Sequence, residues 1–167
     1  MALSKIPNNM QTPLALTTSD MPAGSVIQVQ YHRHESQESY SINGGASGAW
    51  SNVQKTITPQ FINSKILVLI SLDGLTWTSN GSYGHFRINR TVSGSDTEIG
   101  TFGYPRQWDS VDNSSGVTMS SVMYDTPNTT SEITYRFYFY SNHTTSNFNI
   151  NRDNQGDSSI TLMEIAQ

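Results

Sequence analysis

Nowhere in this chain do apolar residues recur at helical spacing for longer than a turn. They alternate instead, in short runs separated by Gly, Pro, Asn, Asp and Ser. Successive side chains of a strand point to opposite faces, so a period of two specifies strands. "SVIQVQYHR" sets Val26, Gln28, Gln30 and His32 against Ile27, Val29, Tyr31 and Arg33. "EITYRFYFYS" sets Ile133, Tyr135, Phe137 and Phe139 against Thr134, Arg136, Tyr138 and Tyr140. "SKILVLISL" is apolar on both faces, as a central strand should be, and "DGLTW" extends it across a turn or bulge at Asp73-Gly74. Further strands are predicted in "VQKTITP", "YGHFRINRTV", "TEIGTFG", "VTMSSVMYD" and "NFNINR".

The terminal "SSITLMEIAQ" carries Ile160, Leu162 and Glu164 on one face and Thr161, Met163 and Ile165 on the other. Neither is a water face, so the last strand is expected inside a sheet, with Glu164 at least partly buried. A buried carboxylate needs a partner. Arg87, Arg90 and Arg136, all on predicted strands, are the candidates. Roughly eight to ten strands at this spacing predict an all-β protein, an antiparallel, jelly-roll-like β-sandwich. The sandwich should occupy residues 25–167. Residues 1–24, without period and punctuated by Pro7, Pro13, Pro22 and Gly24, read as an extended N-terminal docking arm. Residues 34–52 and 103–116 read as long loops.

The composition suits this fold. Charged residues are 13% of the chain, about half the usual share. Twenty-four Ser, 18 Thr and 14 Asn meet water instead. A net charge of -4 without a basic run gives no footprint for nucleic acid. The absence of cysteine excludes disulfides, thiolate metal sites and cysteine nucleophiles. The longest apolar run, Ile66 to Ile70, is far shorter than the ~20 residues of a membrane helix. The first twenty residues do not read as a secretory leader. No phosphate loop, nucleophile elbow or zinc-protease motif occurs, so neither an enzyme nor a cofactor is expected.

Three constellations suggest binding. The loop "GTFGYPRQWDSVDNSSG" gathers Tyr104, Arg106, Trp108, Asp109 and Asp112. Flat rings beside carboxylates and an arginine suit sugar recognition, although Trp108 can equally plug the loop onto the sandwich. "SINGGASGAW", with Tyr40 and Trp50, is a weaker candidate of the same kind. The Arg136, Tyr138 and Tyr140 face is too aromatic for ordinary solvent contact and suggests a subunit interface. His32 and His34 share a strand face near Glu38; repeated about a threefold axis they would offer six imidazoles to a metal, but two solvent histidines at a strand end are the simpler expectation, so no metal is assigned.

"MPAGSVIQVQ", "TPQFINSKILVLISL", "YDTPNTTSEITYRFYF" and "SSITLMEIA", with the opening "MALSKI", resemble small proteins and fibre tips of tailed bacteriophages of the marine and cyanobacterial type. The resemblance covers the strand framework from Met21 to Ala166 and leaves out 34–52 and 100–116. It implies a virion structural protein with a jelly-roll-like domain, forming a homotrimer and assembled in the bacterial host cytoplasm. Its partners would be other phage virion proteins, reached through residues 1–24, and for a fibre tip a host-surface glycan. The alternatives are a capsid decoration (cement) protein gripping the shell with the arm, and a tailspike-like glycan hydrolase using Asp109 and Asp112.

Overall fold

The computed structural model describes residues 21–43, 47–78, 84–102, 117–141, 145–152 and 156–167. Among these residues ten strands form an antiparallel, jelly-roll-like β-sandwich: β1 (Val26–His34), β2 (Glu38–Asn43), β3 (Ser47–Ile57), β4 (Lys65–Thr78), β5 (Gly84–Val92), β6 (Ser95–Phe102), β7 (Val117–Asp125), β8 (Ile133–Ser141), β9 (Thr145–Ile150) and β10 (Ser158–Ile165). One sheet has six strands in the order β1-β10-β4-β9-β2, with β7 on the other side of β4; the second runs β3-β8-β5-β6. Among the described residues no helix is long and apolar enough to cross a membrane.

The long β4 organises the first sheet. Its first half pairs with β10 and β7, and Thr76–Thr78 then pair with β9. The register shifts between Leu72 and Leu75, at the Asp73-Gly74 bulge expected from sequence. Gly74 has φ 54°, and a Cβ there would lie 2.7 Å from the Arg152 nitrogen, so both conformation and close approach require glycine. The core lies between the sheets. Ile66, Val68, Ile70 and Leu72 of β4 meet Ile133, Tyr135, Phe137 and Phe139 of β8, all buried, the β8 set as its alternation predicts.

β10 sits inside the sheet, between β1 and β4. Its Ser158, Ile160, Leu162 and Glu164 face is fully buried, while Ser159, Thr161, Met163 and Ile165 are half-buried on the outer face. Glu164 is buried without an arginine. Gln28 Nε2 donates to Oε2 at 2.7 Å, and the backbone N–H groups of Gln60 and Phe61 donate to Oε1 at 2.8 and 3.1 Å. The three arginines lie elsewhere: Arg87 on Glu98, Arg90 on Asp125, and Arg136 on Gln54. The carboxylate fastens the β3–β4 connection to the sheet by capping its amides.

Residues 34–52 are not the loop expected. They contain β2 and much of β3. β2 pairs with β9 through polar side chains, with Ser39 Oγ and Ser41 Oγ donating to Asn149 Oδ1 and Asn147 Oδ1 at 2.6 and 2.7 Å. A hydroxyl–amide ladder on one face, with Glu38 beside Tyr40 on the other, leaves only a weak apolar alternation to reveal it. β3 keeps a glycine within a strand because the Tyr138 ring lies across it; a Cβ on Gly48 would come within 2.3 Å of that ring. Of the expected arm, residues 21–24 form a turn, with Ser25 N–H donating to Pro22 O, and Gly24 N–H is tied to Ala166 O. Residues 1–20 lie outside the described residues.

Candidate functional site

The outer face of the six-stranded sheet is apolar across four strands. Cross-strand register places Val29, Met163, Leu67 and Tyr124 in one row. Tyr31, Thr161, Leu69 and Val122 form the next, and Arg33, Ser159, Ser71 and Ser120 close the patch with a polar row. Val29, Tyr31, Val122 and Tyr124 are 51–65% exposed. At about 4.8 Å between strands and about 6.8 Å between same-face neighbours, the two apolar rows cover on the order of 300 Å². A patch that size matches the largest apolar patch of an ordinary monomer, which is often functional. Its polar rim holds both signs of charge, Arg33 bridging Glu35 at 2.9 Å and Asp157 at 2.5 Å. The doubly apolar "SKILVLISL" carries the signal for this surface, although the same pattern equally predicts a central strand buried on both faces. β7 gives little hint, since its apolar residues are diluted by serine.

The second sheet's outer face carries Arg136, Tyr138 and Tyr140, the residues singled out as an interface. None is fully solvated, and each is engaged within the chain. Tyr138 packs on Trp50 with ring centroids 4.6 Å apart. Arg136 Cζ lies 5.1 Å from the Trp50 ring, and its Nε donates to Gln54 Oε1 at 2.5 Å. Arg87 Cζ sits 4.4 Å from the Tyr140 ring centre.

At the edge where β1 passes β3, this face opens into a groove of about 490 Å³. His32 and His34 of β1 line one side. Asn52, Gln54, Lys55 and Thr56 of β3 line the other, and Thr134 and Arg136 of β8 complete it. The two imidazole centroids are 6.2 Å apart, and His34 Nε2 lies 2.9 Å from Glu38 Oε1. Glu38 is nearly buried; the Tyr40 hydroxyl donates to it, as do Ser51 Oγ and the Asn52 N–H. Burial and this contact push the Tyr40 hydroxyl well above its ordinary pKa. Desolvation, helped by His34 and Lys55, lowers the pKa of His32. No cluster of three or more metal-type ligands occurs among the described residues.

Tyr104, Arg106, Trp108, Asp109 and Asp112 lie outside the described residues. The weaker sugar candidate does not hold as one unit. Tyr40 turns inward onto Phe139 and Glu38, whereas Trp50 lies on the outer face beside the groove.

No family model and no curated protein matches the sequence. Solved structures that it resembles include the VP2 subviral particle of infectious bursal disease virus, at 9% identity and a TM-score of 0.44 over 86% of this chain and 38% of that one. The Gx strain of the same virus matches at 9% identity and a TM-score of 0.42, over 84% of this chain and 37% of that one. For the Gt strain the values are 10% and 0.44, over 85% and 37%. The chain thus spans less than two fifths of the length of the chains it matches, and at these values the likeness assigns neither family nor function.

Proposed function

We propose that this chain is a non-catalytic structural subunit of a virus particle, a fibre or fibre-tip protein of a tailed bacteriophage, that assembles with copies of itself as a homotrimer and serves attachment to a host-surface glycan. The observation that carries the assembly reading is the apolar outer face of the six-stranded sheet. A sandwich needs only one apolar face per sheet. Here a second spans β1, β10, β4 and β7, with the apolar centre and polar rim of a protein interface. A second copy suits it because the rim pairs both signs of charge, so like copies do not repel. The phage assignment and the trimer come from the sequence resemblance, with which the jelly-roll-like fold agrees.

Sedimentation equilibrium of the full chain tests the reading. A trimer that dissociates on Val122→Asp, at unchanged melting cooperativity, supports it. A wild-type monomer at micromolar concentration removes it.

The cement-protein reading has one observation in its favour. Gly24 N–H is bound to Ala166 O, so the segment preceding Met21 joins the domain at the end of β10, the strand that carries Met163 and Ile165. Removal of residues 1–20 separates the two. Loss of particle binding with intact self-association favours cement, and retained host binding favours the fibre.

A further inference from the structure

Lys55 and Arg136 have no carboxylate within ion-pair distance among the described residues, although the chain carries a net charge of -4. Glu38, the carboxylate beside His34, is occupied by Tyr40, Ser51, Asn52 and His34. Lys55 is half-buried, and His32 stands beside it with its protonated form disfavoured. Gathering these groups without a counter-charge is unfavourable, and an anion in the groove relieves it. A divalent metal would make it worse.

We propose that this groove binds a carboxylate-bearing sugar through Arg136 and Lys55. With Nε held by Gln54, the guanidinium presents its two terminal amino groups, the fork that matches a planar carboxylate. Lys55, in register with Tyr135, reaches the groove from the other side of β3, beside His32, and adds a point charge from there. The rest of the lining is neutral and hydrogen-bonding. Asn52 supplies an amide, and the Thr56 and Thr134 hydroxyls, 3.2 Å apart, supply donors and acceptors for sugar hydroxyls. An inorganic ion would leave these groups unused. The Trp50 indole, held by Tyr138 next to Arg136, extends the site with a flat apolar wall for a sugar's C–H face. The groove volume lies within the range of ligand sites.

A bound anion also favours protonated His32. The groups facing that imidazole are His34 on β1, Lys55 on β3 and Arg136 on β8, with Glu38 on β2 behind His34. A carboxylate offsets the like charge that His34 and Lys55 set against His32 and raises its pKa, so binding takes up a proton and tightens as pH falls. The site does not depend on self-association.

The test is calorimetric titration of the full chain with oligosaccharides of uronic and nonulosonic acids, each paired with its carboxyl-reduced form. At least one acidic member should bind about tenfold or more tightly than its reduced partner, as a charge-assisted fork requires. Arg136→Gln and Lys55→Gln should each weaken it about tenfold at unchanged melting temperature, and His32→Gln should flatten the rise in affinity between about pH 7.5 and 5.5. Because Arg136 also braces Trp50, Lys55→Gln keeps the result readable if Arg136→Gln folds poorly. Absence of binding across the panel, or equal binding of acids and reduced forms, overturns the proposal. Binding of acidic peptides but of no saccharide, lost in the same variants, overturns the sugar and makes the groove a dock for an acidic protein segment.

Discussion

Asn151 is fully buried, has φ 51°, and uses every hydrogen-bonding atom of its side chain. Nδ2 donates to His34 O at 2.6 Å and Ser36 O at 3.2 Å, Oδ1 accepts from the Ser158 N–H at 3.1 Å and Ser158 Oγ at 2.7 Å, and its own N–H donates to Asp73 O at 2.9 Å. One residue therefore joins the β1–β2 turn and the start of β10 through its side chain and the β4 bulge through its backbone. Asn151→Ala strands several of these groups and places alanine at positive φ, so a loss of about 3–5 kcal/mol is expected in urea denaturation. Glu164→Gln replaces an acceptor facing three donors with an amide and should cost about 1–3 kcal/mol. The burial of Glu164 was legible in its alternation with Ile160 and Leu162. Its partners were not, because two are backbone amides of a connection that no side-chain pattern marks. His32 gives a pH dependence of definite sign. Its folded pKa is depressed below 6.5, so the unfolded chain binds more protons. This contribution to stability is complete above pH 6.5 and is lost as pH falls through the interval below it. His32→Gln should remove that part of the slope in melts recorded from about pH 7.5 to 5.

At the scale of elements, strands built on apolar alternation were legible and strands built on polar ladders were not. β8 shows its core face plainly. β2 hides it, because its outward Ser39 and Ser41 pair with asparagines and its inward face sets Tyr40 beside the carboxylate of Glu38 instead of an aliphatic run. β3 begins near glycines that read as a loop. Gly48 is there for the opposite reason, to let the Tyr138 ring close over the sheet, a fit decided by its β8 neighbour. Gly48→Val should therefore do more than add β propensity. Its Cβ would meet Phe139 O at 2.2 Å and the Tyr138 ring at 2.3 Å, so the β3–β8 pairing must open or the ring must leave Trp50. A loss of about 1–3 kcal/mol is expected. Faster amide exchange in 47–50, with β4 and β10 unchanged, would place the damage at that edge. The second sheet's aromatic face was visible in "TYRFYFY", but its contacts were not, since Trp50 and Arg87 reach it from other strands.

For the whole molecule, the two proposed tasks fall on different surfaces. The apolar rows lie on β1, β10, β4 and β7. The polar groove opens toward β3 and β8 at the edge where β1 passes them. The two share β1 but not its side-chain directions, since Val29 and Tyr31 point outward while His32 and His34 line the groove. Association through the apolar face therefore leaves each groove open, and copies joined this way present several sites to one surface. Linked weak sites gain through effective concentration, by about 10²–10⁴ where the geometry lets them engage together. Val122→Asp, 62% exposed on the apolar face, puts a charge into the patch without reaching the core or the groove. It should yield monomers whose affinity for a single soluble acidic saccharide equals that of the wild type. On a surface densely coated with the same saccharide, those monomers should dissociate far faster. Surface plasmon resonance with the sugar alternately in solution and immobilised reads both quantities. Equal dissociation of monomer and wild type from the coated surface would show that the two faces do not cooperate. Weaker binding of the soluble saccharide by Val122→Asp would mean that a neighbouring subunit completes the groove.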